Sequence, residues 1–235
     1  MFPSLQLLPP VAAKRSRAKG CQYFVDERGT RLPSVTSILN ATKPWEDRQA
    51  LARWRQRVGS EAAKQISGKA SRRGTLTHKH IKQYLLGEAA DCPEAARPYW
   101  ESVQPVLREI DAVRLVESTV FHYDLGYAGQ VDCVVNYQGV PCILDWKTSD
   151  RPKESVERLR DQPLQLAAYC GAVNHTYSDH DLQLRSAMLV VALPDQPAEI
   201  FWFTPQAMGD YWQRWQTRLD EFRRREARQA ATSRD

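Results

Sequence analysis

Residues 129–148 of the 235-residue chain read GQVDCVVNYQGVPCILDWKT, and this is the most informative segment of the sequence. Two segments rich in β-branched residues, 130–137 and 140–148, flank the dipeptide Gln138-Gly139. Short segments of this kind, bounded by turn residues, are typical of strands. Glycine in the second position of the connection suits a tight hairpin turn. We therefore expect two antiparallel strands that meet at this dipeptide.

The register of this hairpin brings two carboxylates together. If Tyr137 faces Val140, counting back along both strands places Asp132 opposite Asp145. A four-residue loop centred on the same bond gives the same pairing. Lys147 lies two residues after Asp145 and therefore points to the same face. Two carboxylates about 5 Å apart in a partly buried site repel each other by roughly 3 kcal/mol at an effective dielectric near 20. A divalent cation between them reverses the sign, and oxygen ligands favour Mg²⁺ or Mn²⁺.

The plainer interpretation is an edge hairpin with two solvent-facing aspartates and Lys147 as their surface partner. The apolar residues around Asp145, which are Cys142-Ile143-Leu144 and Trp146, favour an interior strand instead. With a cation bound there, the ion would polarise a phosphoryl oxygen and activate a water molecule. Lys147 would orient that water and stabilise the negative charge of the transition state. This chemistry is phosphodiester hydrolysis, with Asp132, Asp145 and Lys147 as its catalytic core.

These residues resemble the signature of a known superfamily. Asp132 followed by Asp145-Trp146-Lys147 looks like the D…(D/E)-x-K pattern of the restriction-endonuclease-like, or PD-(D/E)XK, nucleases. The Gly-x-Val-Asp form of its first half is similar to the RecB-like exonuclease branch. Residues 73–78, RGTLTH, resemble the Gly-x-x-x-His helix of that branch, and residues 165–169, QLAAY, match its Gln-x-x-x-Tyr motif. One departure is that Gln130-Val131, and not a proline, precedes Asp132.

A narrower resemblance covers most of the chain, from about Pro33 to Arg224. Residues 145–149, 163–165, 168–169, 171–174 and 211–212 resemble the family of mitochondrial genome maintenance exonucleases and their bacterial and phage relatives. This resemblance implies exonucleolytic processing of single-stranded DNA ends with Mg²⁺ or Mn²⁺. It also implies an α/β fold with a restriction-endonuclease-like core, in which helices flank a central mixed β-sheet.

The resemblance further implies roles for individual residues. Gln165 joins Asp132, Asp145 and Lys147 as a catalytic residue. The implied metal ligands are His78, Asp132, Asp145 and Trp146. Glu117, on the strand before the hairpin, is a plausible further member, whereas His80 has no such support. The implied nucleic-acid-binding residues are Arg73, Thr148, Ser149, Lys153 and Tyr169.

The rest of the chain alternates helical and extended patterns, as an α/β or α+β domain requires. Pro105 should kink or break the helix in which it lies. The helices before the sheet, residues 47–86, carry many cations and are expected to cover the active site. The aromatic stripe of the last helix, from Met208 to Phe222, is expected to pack in the core. The predicted helices are 47–58, 60–66, 75–86, 93–113, 163–173 and one from Pro205, and the further strands are 115–122, 182–193 and 199–203.

Composition restricts the classes of protein that remain. No apolar run reaches the roughly 18 residues of a membrane-spanning helix, so we expect no membrane partner. Five scattered cysteines without a Cys-x-x-Cys pair fit a reducing compartment and argue against a zinc ribbon. No cysteine cluster follows Cys170, which argues against an iron–sulfur nuclease. The net charge of +5 permits a nucleic-acid partner without requiring one.

Domain limits follow from these patterns. We expect a basic extension and lead-in at residues 1–32, a nuclease domain at 33–226 and a polar tail at 227–235. The acid-free stretch 1–20 is expected to be a loose extension, and its cations to form a solvated tail, with contact to phosphates as the alternative. We expect a monomer in a bacterial or phage-derived cytoplasm, with the mitochondrial matrix as the alternative.

The resulting functional hypothesis is a metal-dependent exonuclease of single-stranded DNA that works with replication or repair proteins. A structure-specific endonuclease of the same superfamily is one alternative. A non-catalytic nucleic-acid-binding module on the same fold is the other. An inactive relative would be expected to lose Lys147 or one of the aspartates, and all three are present.

Overall fold

The computed structural model describes residues 2–88 and 90–232. These residues form nine strands and six α-helices, with two short 3₁₀ turns at Glu94–Ala96 and Val156–Leu159. The strands are β1 (Ser4–Leu5), β2 (Ala13–Ala18), β3 (Cys21–Asp26), β4 (Arg31–Pro33), β5 (Ile110–His122), β6 (Tyr127–Tyr137), β7 (Val140–Thr148), β8 (Ser186–Ala192) and β9 (Glu199–Phe203). The helices are α1 (Val35–Ala41), α2 (Trp45–Val58), α3 (Ser60–Leu85), α4 (Arg97–Arg108), α5 (Gln162–Thr176) and α6 (Pro205–Thr232).

The central sheet has six strands in the order β1-β5-β6-β7-β8-β9. It is mixed, because β5, β6 and β7 are antiparallel neighbours whereas β1 pairs with β5 and β7 pairs with β8 in parallel. Helices α1, α5 and α6 share a hydrophobic cluster with one face of the sheet. Helices α3 and α4 share a second cluster with the opposite face. The α/β architecture with helices on both sides of a mixed sheet is therefore confirmed.

The hairpin at Gln138-Gly139 has the predicted turn and register. Tyr137 pairs with Val140, and the ladder continues to the pair Cys133–Leu144. Gln138 and Gly139 have φ values of 48° and 78°, as a type I′ turn requires. The paired ladder ends at Cys133–Leu144, one position before the two aspartates that the sequence analysis placed opposite each other.

The amino-terminal stretch differs from the expected loose extension. Ser4–Leu5 forms β1 at the edge of the central sheet, in parallel register with Ala112–Val113 of β5. The basic residues 13–18 form β2, which pairs with β3 in a separate three-stranded sheet. Short basic segments lack the hydrophobic pattern that would predict strands. Backbone hydrogen bonds to neighbouring strands nevertheless order this part of the chain.

Three predicted helices have different limits in the structure. The segments 60–66 and 75–86 are parts of one helix, α3, which continues through Gly68 and Gly74. The segment 93–113 divides into a 3₁₀ turn, α4 and the start of β5. Pro105 lies inside α4, but the helix ends only three residues later, at Arg108. The apolar residues after Arg108 match the helical period and yet belong to a strand, because they pair with β6.

Helix α2 and residues 60–72 of α3 form what we call the helical arm. None of the α2 residues is buried, although Leu51, Trp54 and Val58 are spaced to share one helical face. Ala63 is the one buried residue of α3 before Thr77. The arm is thus held mainly by contacts between its own two helices, and it carries seven lysines and arginines against three acids.

Helix α6 packs against the sheet through the aromatic stripe that was predicted from the sequence. Met208, Trp215, Leu219 and Phe222 are buried in the cluster that α6 shares with α5 and the sheet. The segment 227–232 of the predicted polar tail continues this helix, and residues 233–235 lie outside the described residues. Within the described part of the chain, no helix is long and apolar enough to cross a membrane.

Candidate active site

Three side chains from separate elements converge beside the end of the β6–β7 ladder. His78 comes from α3, Glu117 from β5 and Asp132 from β6, and one ligand atom of each lies within 4.8 Å of the others. The Nδ1 atom of His78 is 3.5 Å from Oδ2 of Asp132 and 3.9 Å from Oε1 of Glu117. Helix α3 thus brings an imidazole to two carboxylates that β5 and β6 hold side by side.

Glu117 occupies an uncommon backbone conformation. Its φ is +47° in the middle of a strand, a value that side chains other than glycine rarely adopt. The flanking pairs Val116–Cys133 and Ser118–Val131 keep one register, so Glu117 stands at the position opposite Asp132. This backbone conformation costs on the order of 1–3 kcal/mol of folding free energy. Such residues persist where the surrounding structure holds them in place, often at functional sites.

Gln130 fixes Glu117 in this conformation. Its Nε2 atom donates to the backbone carbonyl of Glu117 at 3.0 Å and to Oε2 of the same residue at 2.7 Å. Because one carboxylate oxygen is held by the amide, the other, Oε1, faces His78. No motif in the sequence signals this role of Gln130.

Asp145 and Lys147 form an ion pair next to these three side chains. Asp145 is only 2% exposed, and its Oδ2 pairs with Nζ of Lys147. Burial, followed by the charge of Asp145, raises the pKa of Asp132 to about 6. Burial by itself lowers the pKa of Lys147, but the charges of Asp145 and Asp132 outweigh that effect and raise it. Lys147 is therefore a cation at neutral pH, within a site that has an excess of negative charge.

His78 feels the same negative charge. Burial lowers the pKa of its imidazole, but the hydrogen bond with Glu117 and the charge of Asp132 outweigh burial and raise it. His80 behaves differently. It is buried against the ring of Trp100, with ring centroids 4.3 Å apart, and burial lowers its pKa. Of the two histidines, His78 alone reaches the carboxylates.

The donor set fits a divalent cation. One imidazole nitrogen and carboxylate oxygens are ligands for divalent cations, and a bound cation would offset the repulsion between the carboxylates of Asp132 and Asp145. His78 and Asp132 were predicted as ligands and belong to this cluster, whereas Asp145, also predicted, lies outside it and pairs with Lys147. Glu117, which the sequence left open, completes the cluster of three.

Trp146 takes part through its backbone. Its N–H donates to Oδ2 of Asp132 at 2.9 Å, across the point where the β6–β7 ladder ends. Its indole is buried in the cluster under α3 and α4, and an indole N–H is a donor without a lone pair for a metal. The side chain of Trp146 is therefore not a ligand.

Gln165 and Tyr169 lie one turn apart on α5. Gln165 Nε2 donates to the hydroxyl of Tyr169 at 3.0 Å, and Gln165 borders a cleft beside the site. Tyr169 is 4% exposed, and burial followed by the charge of Asp145 raises its pKa. The ring of Tyr169 is packed inside the protein behind the site. It therefore offers no exposed surface for a nucleic acid to contact.

The other expected nucleic-acid contacts lie where β7 ends. Arg73 donates to Asp150 at 2.5 Å and to Thr148 at 3.5 Å, and its guanidinium lies 4.6 Å from the ring centre of Tyr99. Arg73 therefore ties α3 to the end of β7. Ser149 and Lys153 line the cleft that Gln165 borders.

Two clefts flank the catalytic residues. The first, of about 630 Å³, contains His78, Glu117 and Asp132 together with Arg15, Lys79 and Lys82. The second, of about 760 Å³, runs between α1 and the start of α5 and contains Lys43, Arg151 and Lys153. The helical arm starts at the second cleft, where Asp47 lies 3.9 Å from Arg160, and its second helix, α3, returns to the first. The helical arm therefore borders both clefts, since Asp47 lines the second and Ser71 the first.

The chain is similar to known nucleases. The family model of the PD-(D/E)XK nuclease superfamily matches residues 28–234. The chain is 36% identical over 203 residues to mitochondrial genome maintenance exonuclease 1 of Xenopus tropicalis, an alignment that covers 83% of this chain and 58% of that protein. The Homo sapiens protein of the same name is 34% identical over 200 residues, which cover 81% of this chain and 58% of the relative.

The chain thus spans less than two thirds of the length of these relatives. Among solved structures, a protein from Eubacterium rectale aligns with a TM-score of 0.45 at 12% identity, covering 68% of this chain and 66% of its own.

Proposed function

This chain belongs to the PD-(D/E)XK nuclease superfamily, and from that premise we propose that it hydrolyses phosphodiester bonds of single-stranded DNA from free ends. We assign this activity to the domain predicted at residues 33–226, with Mg²⁺ or Mn²⁺ as the cofactor. The observation that carries the proposal is the convergence of His78, Glu117 and Asp132 beside the Asp145–Lys147 pair.

The residues divide the chemistry between them. His78, Glu117, Asp132 and Asp145 would hold the cation, which when bound supplies Lewis-acid activation of water and phosphate. The ammonium of Lys147, kept charged by Asp145 and Asp132, stabilises the negative charge that develops on phosphorus oxygens in the transition state. Gln165, at the edge of the adjoining cleft, would orient the phosphate or the attacking water.

The preference for single strands rests on the arm and the clefts. We propose that a flexible strand runs from one cleft past the carboxylates to the other, and that the helical arm, which borders both clefts, hinders a stiff duplex. The cations along both clefts suit phosphates. Arg73, Thr148, Ser149 and Lys153 would lie along this path, with Tyr169 supporting it from within the protein.

The relatives' names connect them with exonucleolytic maintenance of the mitochondrial genome. We extend a corresponding role to this chain, the processing of DNA ends during replication or repair, in contact with proteins of those pathways. Their names favour the mitochondrial matrix, the alternative to a bacterial or phage-derived cytoplasm. We propose that the chain acts as a monomer.

The test is incubation with end-labelled single-stranded, duplex and structured DNA, with Mg²⁺, with Mn²⁺ and with chelator. We expect metal-dependent release of short products from the single strand. Asp145→Ala and Lys147→Ala should each lower the rate by orders of magnitude, the first by losing the ion and the second while keeping it. Full activity in either variant would disprove the site assignment.

The alternatives give other results. Cleavage confined to branched or flapped substrates would indicate a structure-specific endonuclease. Metal-independent binding without hydrolysis would indicate a nucleic-acid-binding module.

A further inference from the structure

Strand β2 carries three exposed cations on two different faces. Lys14, Arg15 and Arg17 form no ion pair and no side-chain hydrogen bond with any residue that the structure describes. Because side chains alternate along a strand, Arg15 and Arg17 share one face and Lys14 lies on the other. Unpaired cations on one face of an ordered strand have a fixed direction, which a solvated tail does not have.

Arg15 faces the catalytic cleft. It lines the cleft of about 630 Å³ that contains His78, Glu117 and Asp132. Its guanidinium carbon lies 5.8 Å from the ring centre of the buried Phe24, and no acid among the described residues forms an ion pair with it. A guanidinium in this place can bind phosphate oxygens with two parallel hydrogen bonds.

Arg17 faces a further cleft, of about 530 Å³, between β2, α1 and α6. Lys19 and Arg225 line this cleft as well. Thr36 and Asn40 of α1 border both this cleft and the larger one that reaches Ser149 and Gln165. The surface therefore continues from the catalytic residues past α1 to the basic face of β2.

Lys14 faces elsewhere. It lines a separate depression together with Asp26 and Glu27, two acids that lie outside the nuclease clefts. Strand β2 thus carries two arginines beside the clefts and one lysine away from them. All three side chains have the same charge and similar exposure.

We propose that the Arg15–Arg17 face of β2 binds the phosphate backbone of single-stranded DNA and extends the path of the strand beyond the active site. This inference rests on the proposed function, because it takes the substrate to be a single strand. Arg15 and Arg17 are about 6.6 Å apart along the strand, so they contact separate phosphates. Each phosphate contact releases counterions and adds to the salt dependence of binding.

The experiment measures binding of a fluorescently labelled oligo(dT) 20-mer by anisotropy, in chelator to prevent hydrolysis, at several KCl concentrations. The double variant Arg15→Gln/Arg17→Gln is compared with Lys14→Gln and the wild type. Loss of two contacts to a single strand should reduce the slope of log K against log salt by about 1.4. Lys14→Gln should keep the wild-type slope and affinity. Melting curves of all three proteins verify that they are folded.

Two results would overturn the inference. One is a wild-type slope in the double variant. The other is an equal loss of affinity in Lys14→Gln, which would indicate a general effect of net charge. If the wild type releases nucleotides with Mn²⁺ and the double variant binds the oligonucleotide normally, the role of the β2 surface is refuted. The nuclease function then still stands. A wild type that neither binds nor hydrolyses the strand refutes the function itself.

Discussion

The ring of Tyr169 occupies the space that a side chain at Gly129 would need. A Cβ atom added at Gly129 would lie 2.4 Å from Cε1 and 2.9 Å from Cδ1 of that ring. Gly129 begins the Gly-x-Val-Asp stretch of β6, and Tyr169 ends the Gln-x-x-x-Tyr stretch of α5. Two motifs 40 residues apart therefore depend on one packing contact, which holds α5 against the strand that carries Asp132.

We expect Gly129→Ala to destabilise the protein by about 1–3 kcal/mol, the usual cost of overpacking a core. Combining it with Tyr169→Leu should recover much of the loss, because the smaller side chain removes the clash. Urea unfolding of the single and double variants measures this coupling. Gly209→Ala on α6, where a Cβ would meet no atom within 4 Å, is the control and should not destabilise. Additive effects of the two substitutions would contradict the contact.

A second prediction concerns the charge of Asp132. In chelator, Asp132→Asn should match or exceed the wild type in melting temperature, because the substitution removes a buried negative charge beside Asp145. The expected gain is up to about 1 kcal/mol after screening. Excess Mn²⁺ should stabilise the wild type by mass action and the variant much less. A variant clearly less stable than the wild type in chelator would count against the repelling pair of carboxylates.

A third prediction concerns Gln130 as a positioning residue for Glu117. Gln130→Met keeps the volume of the side chain and removes both hydrogen bonds to Glu117. Mn²⁺ binding, measured by calorimetry without substrate, should weaken about tenfold or more, as is usual when a residue behind a metal ligand is lost. The control is Gln138→Asn in the hairpin turn, where the side chain donates to Glu109 instead. Wild-type Mn²⁺ affinity in Gln130→Met would show that Glu117 needs no such support.

A fourth prediction concerns free ends. Because the helical arm borders both clefts, we expect a strand to enter by threading. Linear single-stranded DNA should be degraded, and covalently closed single-stranded circles of the same sequence should persist. Nicking the circles with another enzyme should restore degradation. Rapid degradation of intact circles would indicate an endonuclease.

A fifth prediction concerns pH and His122, at the end of β5. Its Nδ1 accepts a hydrogen bond from the Leu125 N–H at 3.3 Å, and its ring stacks on His175 at 4.4 Å. Burial, and then the charge of His175, lower the pKa of His122 to about 4, while Asp124 acts in the opposite direction. The folded protein therefore holds His122 neutral under conditions where the unfolded chain would protonate it.

The lowered pKa of His122 makes the stability of the folded protein depend on pH. A folded pKa below the unfolded value near 6.5 means that this contribution to stability is present above pH 6.5 and is lost as the pH falls to about 4. The melting temperatures of the wild type and of His122→Gln should therefore differ at pH 8 and become more alike at pH 4. A constant difference between the two proteins would contradict a titrating His122.

The sequence alone determined the hairpin and its register. Turn chemistry at Gln138-Gly139 is local, and the period of two in a strand carries the register from that turn back to Asp132 and Asp145 without further information. The aromatic stripe of α6 was predictable for the same reason, since its helical period is a property of neighbouring residues. His78 and Gln165 were identified by resemblance, because nothing local distinguishes a ligand on a helix from a packed residue.

The surroundings of that hairpin depend on how distant parts of the chain pack together. Glu117 and Gln130 meet because β5 pairs with β6 in a register that has two shifts near its start, and because Glu117 adopts a positive φ that no propensity predicts. Arg15 reaches the catalytic cleft because β2 pairs with β3 in a second sheet, where backbone hydrogen bonds order a stretch without a hydrophobic pattern. Contacts between residues distant in sequence depend on how whole elements pack, and the free energy of that packing is not encoded in any one segment.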